Sequence, residues 1–281
     1  MATNKAAWLM EKCGHPFKID DAPMPKPSPR QITIKVLAVA INPVDAGIQF
    51  QGLIVEKYPA ILGIDAAGEV SAVGSEVQGG FKVGDRVTGL FDQETHGGGD
   101  GSFQLYCNLR DTLTSKIPDN VSFKDACVLP LGMDTACIAL FEGYNLGLPY
   151  PKVNPQPTGR AVVIWGGSSS VGSCGIQAAK AAGLKVASTA SAKNLEYCKS
   201  IGADYAFDYR SESVVADIVA ALKGKEFAGV FSAVFGDDVY IKSAEICKQL
   251  GGKQMVATVL PPMMKSDVKL AEGVKLGYSK F

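Results

Sequence analysis

The chain has 281 residues, 47% hydrophobic and 20% charged, a globular balance that excludes disordered and collagen-like classes. Its 28 basic and 28 acidic residues cancel and no dense Lys/Arg run is visible, so neither nucleic acid nor an anionic membrane is an expected partner. The length suits about two domains.

The first ten residues carry one lysine and no sustained apolar stretch, so no secretory signal is read there. Pro23, Pro25, Pro27 and Pro29 make an extended entry segment that cannot be helical. Ile32, Ile34, Val36, Ala38 and Ala40 then alternate as on a half-buried strand. Val70, Ala72 and Val73 precede Gly74, and Val87 follows a turn at Gly84-Asp85. Gly97, Gly98, Gly99 and Gly101 predict a mobile loop before residues 103–106. Residues 1–125 therefore read as a small, mostly β, barrel-like domain.

From residue 126 the period changes. A helical stretch through Ala136, Ala139 and Leu140 leads to Gly147 and a loop with Pro149, Pro151, Pro155 and Pro157. Strands at 161–165, 185–189, 205–207, 229–233 and 253–259 then alternate with helices after Ser170, from Lys193, over 211–222 and over 239–250. Apolar strands alternating with amphipathic helices predict, for residues 126–281, a parallel sheet covered on both faces. The longest uncharged run, 161–179, reads as strand, loop and helix and not as a membrane span, because Gly166, Gly167 and Gly172 interrupt it. Seven cysteines, at 13, 107, 127, 137, 174, 198 and 247, are scattered without a C-x-x-C pair, which suits reduced thiols in the cytoplasm.

The sharpest motif is the apolar run 161–165 followed by Gly166-Gly-Ser-Ser-Ser-Val-Gly172 and a helix. Such a turn passes closely beneath a pyrophosphate, and the helix presents free N–H groups and the positive end of its dipole. The pattern is G-x-S-x-x-G, with Ser169 in place of the middle glycine. Ser168, Ser169, Ser170 and Val171 are the candidate phosphate-binding residues. At the end of the next strand, where an acid would accept the ribose hydroxyls of NAD, the chain reads Ser188-Thr-Ala-Ser-Ala-Lys-Asn194. Ser191 and Asn194 offer hydrogen bonds and Lys193 a positive charge, which favours NADPH.

Several motifs in order now resemble one family. They are Asn42-Pro-Val-Asp45, Pro59-Ala-Ile-Leu-Gly-Ile-Asp-Ala-Ala-Gly-Glu-Val70, Val83-Gly-Asp-Arg-Val87, Gly101-Ser-Phe103, the glycine turn at 166–172, and residues 195–209. Together they resemble the medium-chain dehydrogenase/reductase superfamily, on its zinc-independent quinone-oxidoreductase and enoyl-reductase side. Within it the chain resembles the fungal group of zinc-binding-dehydrogenase-like proteins and stand-alone trans-enoyl reductases, in the Ser-Ser-Ser-Val loop and in Asp208-Tyr209.

The resemblance implies an α/β architecture, a GroES-like β-barrel-type domain followed by a Rossmann doubly wound parallel sheet. It implies that Val44, Asp45, Ala46 and Gly47 approach the nicotinamide end of the cofactor, and that Ser191, Lys193, Asn194 and Tyr209 surround the adenosine 2′-phosphate. Met133, Asp134 and Thr135, in a stretch running to Leu140, would line the substrate side. Such residues are expected on strand ends and loops, where the crevice of an open sheet places ligands.

No metal is expected. A catalytic zinc of this superfamily needs a thiolate and an imidazole in the first domain; this chain has Pro43-Val-Asp45 and Gly63-Ile-Asp65 in those places, and it lacks the four closely spaced cysteines of a structural zinc lobe. His15 and His96 have no partner at ligand spacing. The expected chemistry is hydride delivery to an activated C=C bond of an enoyl or quinone-like small molecule. Thr135, Tyr58 or a water are the candidate proton donors, and the sequence does not choose among them. Family members continue further at the C-terminus, so the chain is read as truncated or as a short variant, with little apolar material over 265–281 to finish a sheet edge. The alternative function is a nucleotide-binding accessory or sensor protein without turnover. The oligomeric state stays open between monomer and homodimer, with room for a biosynthetic partner enzyme.

Overall fold

The computed structural model describes residues 3–91, 101–261, 264 and 266–279. The chain separates into two compact units, residues 1–131 and 132–281.

In the first unit two antiparallel sheets form. The smaller has the order β2-β1-β4, from β1 (Asn4–Leu9), β2 (Lys18–Ala22) and β4 (Ala60–Ile61). The larger has the order β7-β3-β5-β6-β8, from β3 (Gln31–Ala40), β5 (Asp65–Val73), β6 (Arg86–Leu90), β7 (Tyr106–Arg110) and β8 (Thr114–Lys116). The long β3 holds it together by pairing with both β5 and β7. Its alternating residues Ile32 and Ile34 are fully buried beside Val70, Val87, Cys107 and Leu109. A bridge between Ala6 and Gln104 and the buried Asn4 side chain, which donates to Gln104 at 2.8 Å, join the strands of the smaller sheet to the chain leading into β7. Among the described residues of this unit lie the α-helices α1 (Pro43–Gln51) and the short α2 (Phe123–Ala126). The glycines at 97–99 lie outside the described residues.

The boundary falls in the first turn of α3 (Pro130–Phe141). The second unit then alternates β9 (Arg160–Trp165), α4 (Ser170–Ala181), β10 (Lys185–Ala190), α5 (Leu195–Ser200), β11 (Tyr205–Asp208), α6 (Val214–Leu222), β12 (Glu226–Ser232), α7 (Asp237–Leu250), β13 (Met255–Thr258) and β14 (Lys275–Gly277). The six strands are parallel in the order β11-β10-β9-β12-β13-β14. Residues 161–165 are buried on both faces, with Val162 and Ile164 in one apolar cluster and Ala161, Val163 and Trp165 in the other. This two-sided burial is why the strands read as continuous apolar runs. After β9 the chain moves first to β10 on one side and later to β12 on the other, so the strand order reverses beside β9, where such sheets leave a crevice at their carboxyl ends.

The expectation of too little apolar material at the end of the chain is corrected. Val268, Leu270, Val274 and Leu276 pack on the second cluster, and β14 pairs with β13 through Met255, Val256 and Ala257. A three-residue strand is too short to show a period of two. Residues 262, 263, 265, 280 and 281 lie outside the described residues. Among the described residues no helix is long and apolar enough to cross a membrane, and no disulfide joins any of the seven cysteines.

Candidate active site

In the second unit the glycine turn between β9 and α4 is fixed from below. Gly166 takes a φ of +83°, a left-handed conformation that glycine tolerates. Its amide donates to Thr189 Oγ1 at 3.1 Å and that of Gly167 to the Thr189 carbonyl at 2.8 Å, which docks the turn on β10. A Cβ on Gly167 would stand 1.9 Å from Ser188 Oγ, and one on Gly172 only 2.2 Å from the Gly166 carbonyl oxygen. Backbone therefore passes backbone here with no room for a side chain.

Ser169, the departure from the usual fingerprint, is the N-cap of α4. Its hydroxyl accepts from the Gly172 amide at 3.0 Å and donates to the Gly166 carbonyl at 2.8 Å. Ser173 donates to the Gly167 carbonyl at 3.1 Å. The loop's carbonyls are thus held by hydroxyls, while the amides of Ser168, Ser170 and Val171 donate to no acceptor among the described residues. Three open amides at the start of a 12-residue helix are a fitting seat for an anion.

Four other second-unit candidates follow the carboxyl ends of neighbouring strands. Ser191, Lys193 and Asn194 follow β10, with a turn closed by the Asn194 amide on the Ser191 carbonyl at 2.8 Å. Tyr209 follows β11 and its amide reaches the Ala190 carbonyl at 3.2 Å, so it stands beside them. Arg210, which the sequence reading passed over, stacks its guanidinium 5.2 Å from the Tyr209 ring centre; a cation next to Tyr209 was the signal. The carboxylate of Asp208, in register with Ala190, accepts the Arg210 amide at 3.0 Å. Met133, Asp134 and Thr135 lie within helix α3 and not on the strand end or loop expected of them, and the Gly132 of that helix approaches Ser170 so closely that a Cβ would be 3.1 Å from its hydroxyl. Thr135 is buried, and burial raises the Asp134 carboxyl above its ordinary pKa.

In the first unit Val44, Asp45, Ala46 and Gly47 sit in α1 and not on a strand end or loop, which corrects the expectation. Pro43 at the first helical position and Asn42 before it are the start signals that went unused. Asp45 is 3% exposed. Its Oδ2 accepts the Asn42 amide at 2.7 Å, and its Oδ1 is buried without a hydrogen bond of good geometry. Burial pushes its pKa up to about 6, and the nearby amides of Asn42 and Gly63 moderate the rise. The Asn42 side chain turns to a second buried carboxylate, donating to Asp65 Oδ2 at 2.9 Å, while Asp65 Oδ1 takes the Leu131 amide at 2.9 Å. Tyr58 donates its phenol proton to the Val55 carbonyl at 3.0 Å, so that group is already engaged.

Comparison with known proteins agrees with this geometry. Residues 28–119 match the family model of the alcohol dehydrogenase GroES-like domain, and residues 170–274 match that of the zinc-binding dehydrogenases. The dehydrogenase pigH of Monascus ruber is 42% identical over 276 residues, which are 96% of this chain and 74% of that protein. The trans-enoyl reductase himH of Aspergillus japonicus is 38% identical over 92% of this chain and 74% of its own length. The crystal structure of a quinone oxidoreductase from Coxiella burnetii superposes with a TM-score of 0.73 at 25% identity, covering 99% of this chain and 84% of that one. The chain belongs to the medium-chain dehydrogenase/reductase family. It is an oxidoreductase of a family that works with nicotinamide cofactors.

Membership by a model named for zinc raises the question of a metal. Ile64, in the tripeptide where zinc-dependent members place the imidazole, is packed among Leu90, Phe91, Val44 and Leu131. Asp45 and Asp65 are committed to Asn42 and Leu131. Among the described residues no group of three or more His, Cys, Asp and Glu side chains can hold a metal ion. His15 contacts Gln49 at 3.2 Å and stacks on Phe50; His96 lies outside the described residues. These residues do not fit a zinc ion. The glycine turn, by contrast, does fit a dinucleotide.

Proposed function

We propose that the chain is an NADPH-dependent reductase that delivers hydride to an activated C=C bond of an enoyl or quinone-like molecule, without zinc. The observation that carries this reading is the group around the end of β10: three open amides in the turn and first residues of α4, and Ser191, Lys193, Asn194, Tyr209 and Arg210 with no acid at the strand end. The open amides of Ser168, Ser170 and Val171 would hold the pyrophosphate. Lys193 and Arg210 would supply charge for the 2′-phosphate, and Ser191, Asn194 and Tyr209 hydrogen bonds. The nearby Asp208 is turned onto its own loop by the Arg210 amide, which moderates its repulsion of a phosphate.

Bound NADPH supplies the hydride. Met133, Asp134 and Thr135 on α3 would form the substrate side, and Val44, Asp45, Ala46 and Gly47 on α1 the nicotinamide side. With no metal to polarise a carbonyl, the protein's contribution is orientation together with hydrogen bonds that stabilise the developing enolate. The names of relatives, trans-enoyl reductase and quinone oxidoreductase, support the substrate class. The test is loss of NADPH absorbance with enoyl thioesters, enones and quinones, run with and without a metal chelator. Turnover of at least one class, unchanged by chelator, is expected. Binding of NADPH with no oxidation on any acceptor would mark an accessory or sensor protein, and one zinc per chain would overturn the metal-free mechanism.

A further inference from the structure

We propose that Tyr197 is a specificity-determining positioning residue that couples the 2′-phosphate subsite to the pyrophosphate subsite; this rests on the NADPH reading above. Tyr197 lies on α5, three residues after Asn194, which caps that helix. Its hydroxyl reaches across to α4 and donates to Ser173 Oγ at 3.2 Å. Ser173 in turn donates to the Gly167 carbonyl at 3.1 Å. Each hydroxyl has one proton, so the chain has one direction: Tyr197 gives to Ser173, and Ser173 gives to the glycine turn.

Three features give this chain a role beyond holding the fold. Tyr197 is 47% exposed, so its phenol is not needed to satisfy a buried core. Helix α5 has only six residues and no side-chain cap, so its first turn depends on contacts made elsewhere. The Tyr197–Ser173 distance is long for O–H···O, which leaves room for it to shorten. At the other end the Gly167 amide is fixed on the Thr189 carbonyl, which leaves the Gly167–Ser168 peptide, held through its carbonyl by Ser173, as the part that responds. A phosphate held by Lys193 and Asn194 would draw α5 toward α4, tighten the Tyr197 bond, and through Ser173 set the Gly167 peptide beneath the pyrophosphate. Coupling of this kind is reciprocal: each subsite, once filled, raises the affinity of the other by the same factor.

The test is a set of NADPH and NADH titrations on the intact chain and on Tyr197→Phe, Lys193→Ala, the double variant and Ser173→Ala. Tyr197→Phe is expected to raise the Kd of NADPH about three- to tenfold and that of NADH less than about twofold, with Tm and kcat unchanged. Ser173→Ala, which also frees the Gly167 carbonyl, should weaken both cofactors, NADPH by the larger factor. In the double variant the loss should fall short of the product of the single losses by at least about threefold. Equal effects on both cofactors, or losses that multiply, would overturn the coupling. If the intact chain binds NADH as tightly as NADPH, the NADPH reading itself fails; if it keeps a strong preference that Tyr197→Phe does not reduce, only the coupling fails.

Discussion

The loop between β9 and α4 leaves amides open and ties down its carbonyls, whereas the cluster around Asn42 spends its donors on two buried carboxylates. In the first region the polar groups are neutral backbone dipoles held by Ser169, Ser173 and Thr189, so the site is formed in advance and carries no charge that burial would penalise. In the second, Asn42 gives its amide to Asp45 and its side chain to Asp65, and one Asp45 oxygen is still left over. A preformed row of donors suits an anion that comes and goes. A buried acid short of donors instead makes stability depend on pH.

The largest expected effect lies in the loop. Gly172→Ala places a Cβ 2.2 Å from a backbone oxygen that Ser169 already holds. Overpacking of about 3 kcal/mol corresponds to about a 100-fold loss, read as NADPH Kd together with thermal unfolding. Gly143→Ala, where the added carbon meets nothing within 4 Å, is the control and should stay within about 0.5 kcal/mol. If the two substitutions behave alike, the close backbone passage is not what shapes the turn.

Asp45→Asn probes the other region. The folded pKa, about 6, lies above the ordinary carboxyl value of 3.8. Protonation is therefore favoured in the folded chain, and stability falls as pH rises from about 4 to 6 and is level above that. At about 1.36 kcal/mol per pKa unit the ionised form costs the fold about 2–3 kcal/mol at pH 7. Asparagine still accepts the Asn42 amide, so Asp45→Asn should raise stability at pH 7.5 by roughly that amount and little at pH 4. Denaturant unfolding at the two pH values checks this; a loss larger at pH 7.5 than at pH 4 would mean that the charge stabilises α1 more than its burial costs, and an equal loss at both would mean that its ionisation does not bear on stability.

Two smaller effects sharpen the contrast. Lys193→Ala should weaken NADPH about tenfold, since a hydrogen bond to a charged group contributes about 1.5–3 kcal/mol, and leave the NADH Kd unchanged. Ser169→Ala should cost about 1 kcal/mol of stability through the lost cap, and Ser169→Gly only a few tenths. Thermal unfolding of the pair separates capping from any special need for serine at that place.

The first region was legible in the sequence because its signals are local. A strand, a glycine turn and a helix follow one another, and the serine cap sits inside the motif. The Asn42 cluster was not, because Asn42 meets Asp65 across 23 residues, and Leu131 lies 66 further on. Helix α1 was missed although Asn42 and Pro43 mark its start; its surroundings are strands, and its short apolar face offers little period. Tyr197 and Ser173 are 24 residues apart on successive helices, and Arg210 gained meaning only from its ring contact with Tyr209.

The most direct measurement is the titration of the unaltered chain with NADPH and with NADH at one ionic strength. Open amides in the turn and first residues of α4 combined with Lys193 and Arg210 beside β10 call for an NADPH Kd at least about tenfold lower, the equivalent of one charge-assisted contact. Equal constants, or a preference for NADH, would contradict the assignment of that loop to the 2′-phosphate.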